Sequence, residues 1–423
     1  MRAKPVSRLK RWLRGPAPAM PGEARARTTV KATSAASAQA PVQGAAMPAV
    51  ATERRLVAEP WYVDRISISD SVDGLRAAHS GIRPRGGPSG SRLAAEGWSM
   101  PVPGATEPAE GWFSVNGRRF DSIRYPLPRP DVGDVFWMRE GAAMCGFEAT
   151  IDDLPQPYPG GVLEIRRNVA DTPAVERGRD SWFKPDPALH AELPDEARRF
   201  RVIGNRDADG FLISGATDYH RIDRAMLAVA GRHLADFDRV LDWGIGCGRV
   251  ARHLPAARAR ALTGCDIDAD NVAWCASHLP GRHVHCAIEP PLPFPDASFD
   301  AIYGISVFTH LLEPMQFRWL AELARVAASG AIVAVTIHGR TAIDFSRLPP
   351  AGHRRVVDEV RRHGIVFNGA NSQLDGHADH GGEYVNVLHD ADYVRRVWSR
   401  WFDVLHVLPG YIIHHDLVML RRR

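Results

Sequence analysis

The chain contains 423 residues, of which 45% are hydrophobic and 24% are charged, and its formal net charge at pH 7 is +4. This length predicts two or three domains and a sizeable core. Outside residues 1–31 acidic residues slightly outnumber basic ones, which argues against a nucleic-acid partner. No run reaches the roughly 18 apolar residues of a membrane span, so we expect a cytoplasmic protein.

The first predicted segment, residues 1–58, is a basic tail. It is rich in Ala, Pro, Arg and Ser, and residues 1–31 hold nine Lys or Arg against one acid, Glu23. Such a composition predicts disorder. Residues 7–14 carry Leu9, Trp12 and Leu13 and permit a weak contact with an anionic membrane surface, although a solvated tail is the simpler interpretation.

The second predicted segment, residues 59–196, is rich in β-structure. Asn116-Gly117 is a hairpin-type turn, and short alternating runs occupy residues 134–138, 145–151 and 161–166. Several short strands separated by turns predict a small β-sandwich. Trp112, Phe113 and Trp137 are aromatics at strand spacing, which form a sandwich core more often than a platform for stacking sugars.

The third predicted segment, residues 197–423, begins with a helix over residues 218–235 and a strand over 240–243. A turn with three glycines follows, and a helix is expected from Arg249. A dinucleotide-binding G-x-G-x-x-G motif requires a glycine at position 249. Arg249 therefore argues against a nicotinamide-dependent oxidoreductase, which is one alternative function for a glycine-rich turn of this kind.

The next elements alternate between strands and helices. Residues 262–266 predict a second strand ending at Asp266, and Asp268 or Asp270 is a suitable N-cap for a helix over 271–278. Residues 301–306 and 330–337 predict two further strands, separated by a helix over 313–327. The chain ends with a helix over 392–400 and strands over 402–408 and 416–421, with a turn at Pro409-Gly410.

Three of these motifs resemble those of class I S-adenosylmethionine (SAM)-dependent methyltransferases. They are D-x-G-x-G-x-G at 242–248, an acid at 266 and LPFPDASFD at 292–300. The resemblance covers about residues 201–423. It implies an α/β fold with a Rossmann-like, seven-stranded methyltransferase sheet whose last strands are antiparallel. The region before it resembles the β-rich accessory domain of some bacterial methyltransferases.

The resemblance also implies the cofactor, S-adenosyl-L-methionine, and the residues that bind it. Asp242 would hold the methionine amino group, Asp266 the ribose hydroxyls, and Ile267 would pack on the adenine. The glycines would line the cofactor turn, residues 201–204 and 214–215 would lie near the cofactor carboxylate, and Ser306 would lie beside the methyl group. The expected cofactor set is Asp242, Gly244, Gly246, Gly248, Asp266, Ile267 and Ser306.

A hydroxyl acceptor calls for a general base, and His310 and His338 follow two strand ends on the ligand-binding edge of the sheet. Tyr384 is placed to position the acceptor hydroxyl. Its loop, residues 374–384, also contains acids and histidines, which are interpreted as a lid or substrate loop rather than a metal site. We expect no metal in this protein. Residues 414–416 are interpreted as a strand-edge cluster. The five cysteines are expected to be reduced.

The predicted function is SAM-dependent O-methylation of a small molecule or glycan hydroxyl by direct in-line transfer. Two alternatives besides the oxidoreductase remain at this point. One is a methyltransferase fold that binds or scaffolds without catalysis, and the other is carbohydrate binding by the β-rich half.

Overall fold

A computed structural model describes residues 60–70, 91–101, 112–154, 156–169, 172–190, 192–370 and 385–423. These residues belong to one compact unit of the chain. The predictions for the basic tail, for Tyr384 and for the loop over residues 374–384 lie outside the described residues. In the described part of the chain, no helix has both the length and the apolar character needed to cross a membrane.

The described part of the β-rich region contains eight strands in two antiparallel sheets. They are β1 (Trp61–Asp70), β2 (Ser91–Ser99), β3 (Phe113–Val115), β4 (Arg118–Arg119), β5 (Ser122–Leu127), β6 (Gly146–Leu154), β7 (Val162–Arg167) and β8 (Ser181–Pro185). One sheet has the order β1-β2-β6-β5 and the other β4-β3-β7-β8. Leu93 and Ile151 of the first sheet share a core with Ile165 and Trp182 of the second, as a β-sandwich requires.

Two details of this region test the sequence patterns. Asn116 and Gly117 have φ of 49° and 78° between paired strands β3 and β4, so the predicted hairpin turn is confirmed. The strand expected over residues 134–138 is wrong, because helix α1 (Pro130–Val135) includes the first two of these residues and a turn follows it. Proline in its first turn favours a helix start, and Val132 and Val135 are buried.

The three aromatics considered for sugar stacking do not share a surface. Phe113 is fully buried in the sandwich core, and Trp112 packs on it with ring centroids 4.7 Å apart. Trp137 instead lies edge-on to His353. Phe113 is therefore a core residue, and these side chains form no common stacking platform.

The C-terminal half, residues 197–423, contains a seven-stranded sheet. Its strands are β9 (Val240–Trp243), β10 (Leu262–Asp266), β11 (Arg282–His285), β12 (Phe299–Gly304), β13 (Ala327–Ile337), β16 (Phe402–Ile412) and β17 (His415–Arg422). The order is β11-β10-β9-β12-β13-β17-β16, and β17 is antiparallel to both neighbours. A separate hairpin is formed by β14 (Ile365–Ala370) and β15 (Val385–His389). The predicted Rossmann-like sheet is confirmed.

Helices cover both faces of this sheet. They are α2 (Glu196–Ile203), α3 (Ala208–Ala230), α4 (Ala269–His278), α5 (Glu313–Val326), α6 (Arg340–Phe345), α7 (Pro350–His363) and α8 (Ala391–Trp398). Because successive strand residues point to opposite faces, Leu241 packs with Trp319 and Trp398 on one side. Its neighbour Val240 packs with Ile222 of α3 on the other.

The expected elements are mostly present, with three corrections. The helix before the sheet starts at Ala208 rather than 218, because Asp207 caps it, and it ends at Ala230 before left-handed Gly231. The helix expected from Arg249 is only a short 3₁₀ turn, Ala251–His253, since Pro255 holds the preceding residue in an extended conformation.

The third correction concerns the last turn. It lies at Ile413-His414, between β16 and β17, and not at Pro409-Gly410, where β16 only loses register. Because β17 lies inside the sheet, His415 and Asp416 are buried, and the interpretation of residues 414–416 as a strand-edge cluster is wrong. The expected cap of α4 is Asp268, whose side chain accepts the N–H of Asn271.

A buried arginine joins the sandwich to the C-terminal half. Arg221 of α3 donates to the carbonyl oxygens of Arg179, just before β8, of Ser181, the first residue of β8, and of Tyr411 in β16. Burial lowers the pKa of its guanidinium to about 10, so it stays charged near neutral pH. It satisfies three backbone carbonyls at a place that water does not reach.

Candidate active site

A cleft opens at the carboxyl ends of β9, β10 and β12. Its empty volume, including the part open to solvent, is about 1120 Å³. This edge, where the strand order reverses, is where α/β sheets of this type bind ligands. Six of the residues expected from the sequence line this one cleft: Gly244, Gly246, Asp266, Ile267, Ser306 and His310.

The glycine turn between β9 and the 3₁₀ helix forms one wall. Gly244, Gly246 and Gly248 all have positive φ, 83°, 54° and 75°, a region that favours glycine. A Cβ on Gly244 would lie 2.6 Å from Cγ2 of Val307, so a side chain there would close the cleft. Gly248 is not among the described cleft residues, and it packs instead against Leu279, which a Cβ would overlap.

Asp266 ties the glycine turn to the end of β10. Its Oδ2 accepts the N–H of Gly246 at 2.7 Å, and its Oδ1 accepts the N–H of Asp268 at 2.9 Å. Burial raises the pKa of Asp266, and these backbone hydrogen bonds oppose the rise. A carboxylate offers about four acceptor positions, so both oxygens retain capacity for hydroxyl donors in the cleft.

Asp242 lies behind the turn rather than on the cleft wall. Its side chain is 4% exposed, and its Oδ2 accepts the hydroxyl hydrogen of Tyr303 at 2.8 Å. Burial raises the pKa of this carboxyl to about 7, while the Tyr303 hydrogen bond opposes the rise. The expected contact of Asp242 with a cofactor amino group therefore stays a prediction.

Helix α2 supplies a cleft residue whose partners the sequence patterns did not identify. Arg201 lines the cleft, and its Nε lies 3.4 Å from Oδ2 of Asp268, the α4 cap. Its Nη2 lies 3.4 Å from Oδ1 of Asn271. Arg201 is thus beside the end of β10, the side where the ribose is expected. A lone arginine in a surface helix gives no signal of these distant partners.

His310 lies at the end of a short 3₁₀ helix, Phe308–His310, and lines the cleft. Its Nδ1 is 2.9 Å from the carbonyl oxygen of Val385, and its Nε2 is 3.4 Å from Oγ of Ser306. A carbonyl only accepts, so Nδ1 carries the hydrogen and Nε2 holds a lone pair. Burial lowers the pKa of His310 to about 4, so the ring is neutral at pH 7.

His338 is a neighbour of His310 but not one of the described cleft residues. The two ring centroids are 6.1 Å apart. The Nε2 of His338 lies 3.1 Å from Nε2 of His415, and burial lowers its pKa well below the usual value. Of the two base candidates, only His310 therefore faces the cleft.

Apolar side chains complete the cleft. Ile267 and Ile288 flank it together with Trp243 and Trp319, and the indole N–H of Trp319 donates to the carbonyl oxygen of Ile288 at 3.1 Å. A cleft with apolar walls and a few convergent polar groups suits a small organic ligand.

Comparisons with known proteins agree with this geometry. The model of a methyltransferase domain matches residues 241–335. A probable S-adenosylmethionine-dependent methyltransferase from Mycolicibacterium smegmatis is 31% identical over 219 residues, covering 48% of this chain and 79% of that protein. The 27-O-demethylrifamycin SV methyltransferase of Amycolatopsis mediterranei is 28% identical over 189 residues, 42% of this chain and 66% of that protein.

Among solved structures, magnesium protoporphyrin IX methyltransferase from Synechocystis PCC 6803, crystallised with bound SAH, is 15% identical. The match has a TM-score of 0.34 and covers 53% of this chain and 93% of that chain.

Proposed function

The chain belongs to the S-adenosylmethionine-dependent methyltransferases, and from this premise we propose that it methylates a hydroxyl oxygen of a small molecule or glycan. The observation that carries the proposal is the position of His310. A neutral imidazole lines the cleft at the end of a central strand, with its Nε2 3.4 Å from Oγ of Ser306. The relative from Amycolatopsis mediterranei is named for an O-demethylated substrate, which is consistent with an oxygen acceptor.

The cleft residues fit the cofactor S-adenosyl-L-methionine. The turn at Gly244 has no room for a Cβ beside Val307, so the bare backbone forms a cradle that a side chain would fill. Asp266 presents carboxylate oxygens suited to a ribose diol, and Ile267 with Ile288 presents an apolar slot suited to an adenine. When bound, the cofactor supplies an electrophilic methyl group on a positively charged sulfur.

The residues of this chain then have two tasks, to orient the acceptor and to accept its proton. Nε2 of His310 is the proposed proton acceptor. The hydrogen bond from Nδ1 to the carbonyl oxygen of Val385 fixes the orientation of the His310 ring, so the Nε2 lone pair has one direction. Proton transfer to a positioned histidine typically accelerates a reaction by about 10²–10⁴-fold. The apolar walls limit the access of water to the cleft.

The test is an assay with isotopically methyl-labelled cofactor and a panel of acceptors bearing hydroxyl, amine, thiol or carboxyl groups. We expect label on a hydroxyl-bearing sugar or small molecule. His310→Gln should lower kcat by about 10²-fold or more while S-adenosylhomocysteine binding, measured by calorimetry, stays within a few-fold of wild type. His353→Gln is the matched control, because His353 is also buried but pairs with Asp344 in the α6–α7 region.

Two results would overturn parts of the proposal. Label found only on nitrogen, sulfur or carboxyl acceptors would exclude hydroxyl methylation. Full turnover by the His310→Gln protein would remove His310 as the proton acceptor. Cofactor binding with no labelled product from any acceptor would instead favour the binding or scaffold alternative.

A further inference from the structure

Three histidines meet beside the catalytic cleft. His338 directly follows β13, and His414 and His415 lie at the turn into β17. The ring centroids of His338 lie 5.8 Å from His414 and 4.7 Å from His415, and the latter two rings are 4.1 Å apart. One ring nitrogen from each residue lies within 4.8 Å of the others. We propose that His338, His414 and His415 bind one divalent transition-metal ion, with zinc as the first candidate.

The nitrogen spacing supports this proposal. Zinc binds histidine nitrogen at about 2.0–2.1 Å in a tetrahedral arrangement, which places two ligating nitrogens about 3.3 Å apart. The Nε2 atoms of His338 and His415 are already 3.1 Å apart. The third nitrogen requires only a modest ring movement, since the whole set lies within 4.8 Å. Three histidines with a fourth position left for water or substrate form a common zinc ligand set.

The backbone at the turn is also unusual. Ile413 has φ of 57°, which is a true outlier for a β-branched residue. His414 belongs to the turn and His415 is the first residue of β17, and their rings lie 4.1 Å apart. Strained positions of this kind concentrate at functional sites. Here the turn brings both rings to the same side as His338.

The surroundings suit metal binding in two further ways. A ring N–H of His338 is bonded to the backbone of Val387, which fixes the ring as outer-shell partners of metal ligands do. His338 and His414 are only half-buried, so an ion has a path to the cluster.

The experiment is metal titration of the full-length protein after chelation and dialysis. Cobalt(II) is the probe, because its visible absorption reports tetrahedral coordination, and zinc is the competitor. We expect one cobalt per chain, displaced by one zinc. His414→Gln, at one of the two half-buried ligand positions, should weaken binding at least about 100-fold, since even outer-shell changes at metal sites cost about 10–100-fold. His353→Gln is the control and should bind like wild type.

X-ray absorption on the zinc-loaded wild-type protein makes the test independent of variant folding. We expect nitrogen ligands near 2.0 Å. Sulfur ligands would place the ion on cysteines and overturn the proposal. Absence of stoichiometric binding by the wild type, or unchanged affinity in a His338→Gln, His414→Gln double variant, would overturn it as well. None of these readouts depends on knowing the methyl acceptor.

Discussion

The carbonyl oxygen of Val385 lies 2.9 Å from Nδ1 of His310. Two residues further along the same strand, the backbone of Val387 is bonded to the ring of His338. Strand residues two apart face the same way, so one edge of β15 orients both histidines. The hairpin β14–β15 is therefore the element that decides where their remaining nitrogens point.

The orientation of His310 predicts a simple pH profile. Because its pKa is lowered to about 4 by burial, the ring is unprotonated, and able to accept a proton, at all pH values above that. We expect kcat to be flat from about pH 8 to pH 6 and to fall only as the pH approaches about 4. A kcat profile measured under saturating substrates that instead titrates near the usual histidine pKa of about 6.5 would contradict this assignment.

Asp266→Asn should weaken cofactor binding. The change removes the charge that accepts the N–H groups of Gly246 and Asp268, and charged hydrogen bonds contribute about 1.5–3 kcal/mol each. We expect a loss of roughly 10–100-fold in affinity for S-adenosylhomocysteine, measured by calorimetry. Asp270→Asn, an exposed site in the first turn of α4, is the control and should bind normally. Equal affinities for all three proteins would show that Asp266 does not hold the ribose.

A pair of glycine variants separates backbone strain from packing. Gly231 and Gly248 have similar φ, 68° and 75°, but a Cβ meets open space at Gly231 and overlaps Leu279 at Gly248. Gly231→Ala should lose about 1–2 kcal/mol of unfolding free energy from its left-handed conformation. Gly248→Ala should lose roughly 1–3 kcal/mol more from the overlap. Urea denaturation measures both, and equal losses would mean that Leu279 moves away freely.

Removal of Arg221 should weaken the junction between the sandwich and the catalytic half. Arg221→Met leaves the carbonyls of Arg179, Ser181 and Tyr411 without their buried donor, and each unsatisfied group costs about 1–3 kcal/mol. We expect a loss of about 3–5 kcal/mol in unfolding free energy. A loss below about 1 kcal/mol would imply that water replaces the guanidinium.

Acid should destabilise the fold through its buried histidines. His389 is fully buried beside Gln316, and burial lowers its pKa to about 3, whereas in the unfolded chain it is near 6.5. Its stabilising contribution is complete above about pH 6.5 and falls by about 1.4 kcal/mol per pH unit as the pH decreases toward 3.

Asp416 has the opposite effect on the pH dependence of stability, because it destabilises the fold as the pH rises. Burial raises its folded pKa to about 7, so its contribution is complete below its unfolded pKa and is lost as the pH rises through 7. The comparison of wild type with His389→Gln isolates the histidine, because Asp416 is present in both. Between about pH 6 and pH 4, we expect the slope of unfolding free energy against pH to be smaller in the variant by nearly 1.4 kcal/mol per pH unit, which is the contribution of one proton. Identical slopes would show that His389 is protonated in the folded protein.

The local patterns of this sequence predicted the glycine turn and most strands of the seven-stranded sheet, but they did not predict β11, the β14–β15 hairpin or helices α6 and α7. The turn, Asp266 and the cap at Asp268 are short-range features, because a few neighbouring residues fix their conformation. Errors arose where competing local signals were present: Pro255 shortened the helix after the turn, and Pro130 made a helix out of an alternating run.

Only the tertiary structure decided which distant side chains meet. Arg201 contacts Asp268, which lies 67 positions further along the chain, and His338 contacts His415, which lies 77 positions further along. Such contacts depend on how strands order themselves in the sheet and on the left-handed turn at Ile413, and no periodicity in the sequence encodes them. The sequence by itself therefore determined the class of fold and its cofactor, whereas the folded sheet decided which histidine faces the cleft and which ones cluster beside it.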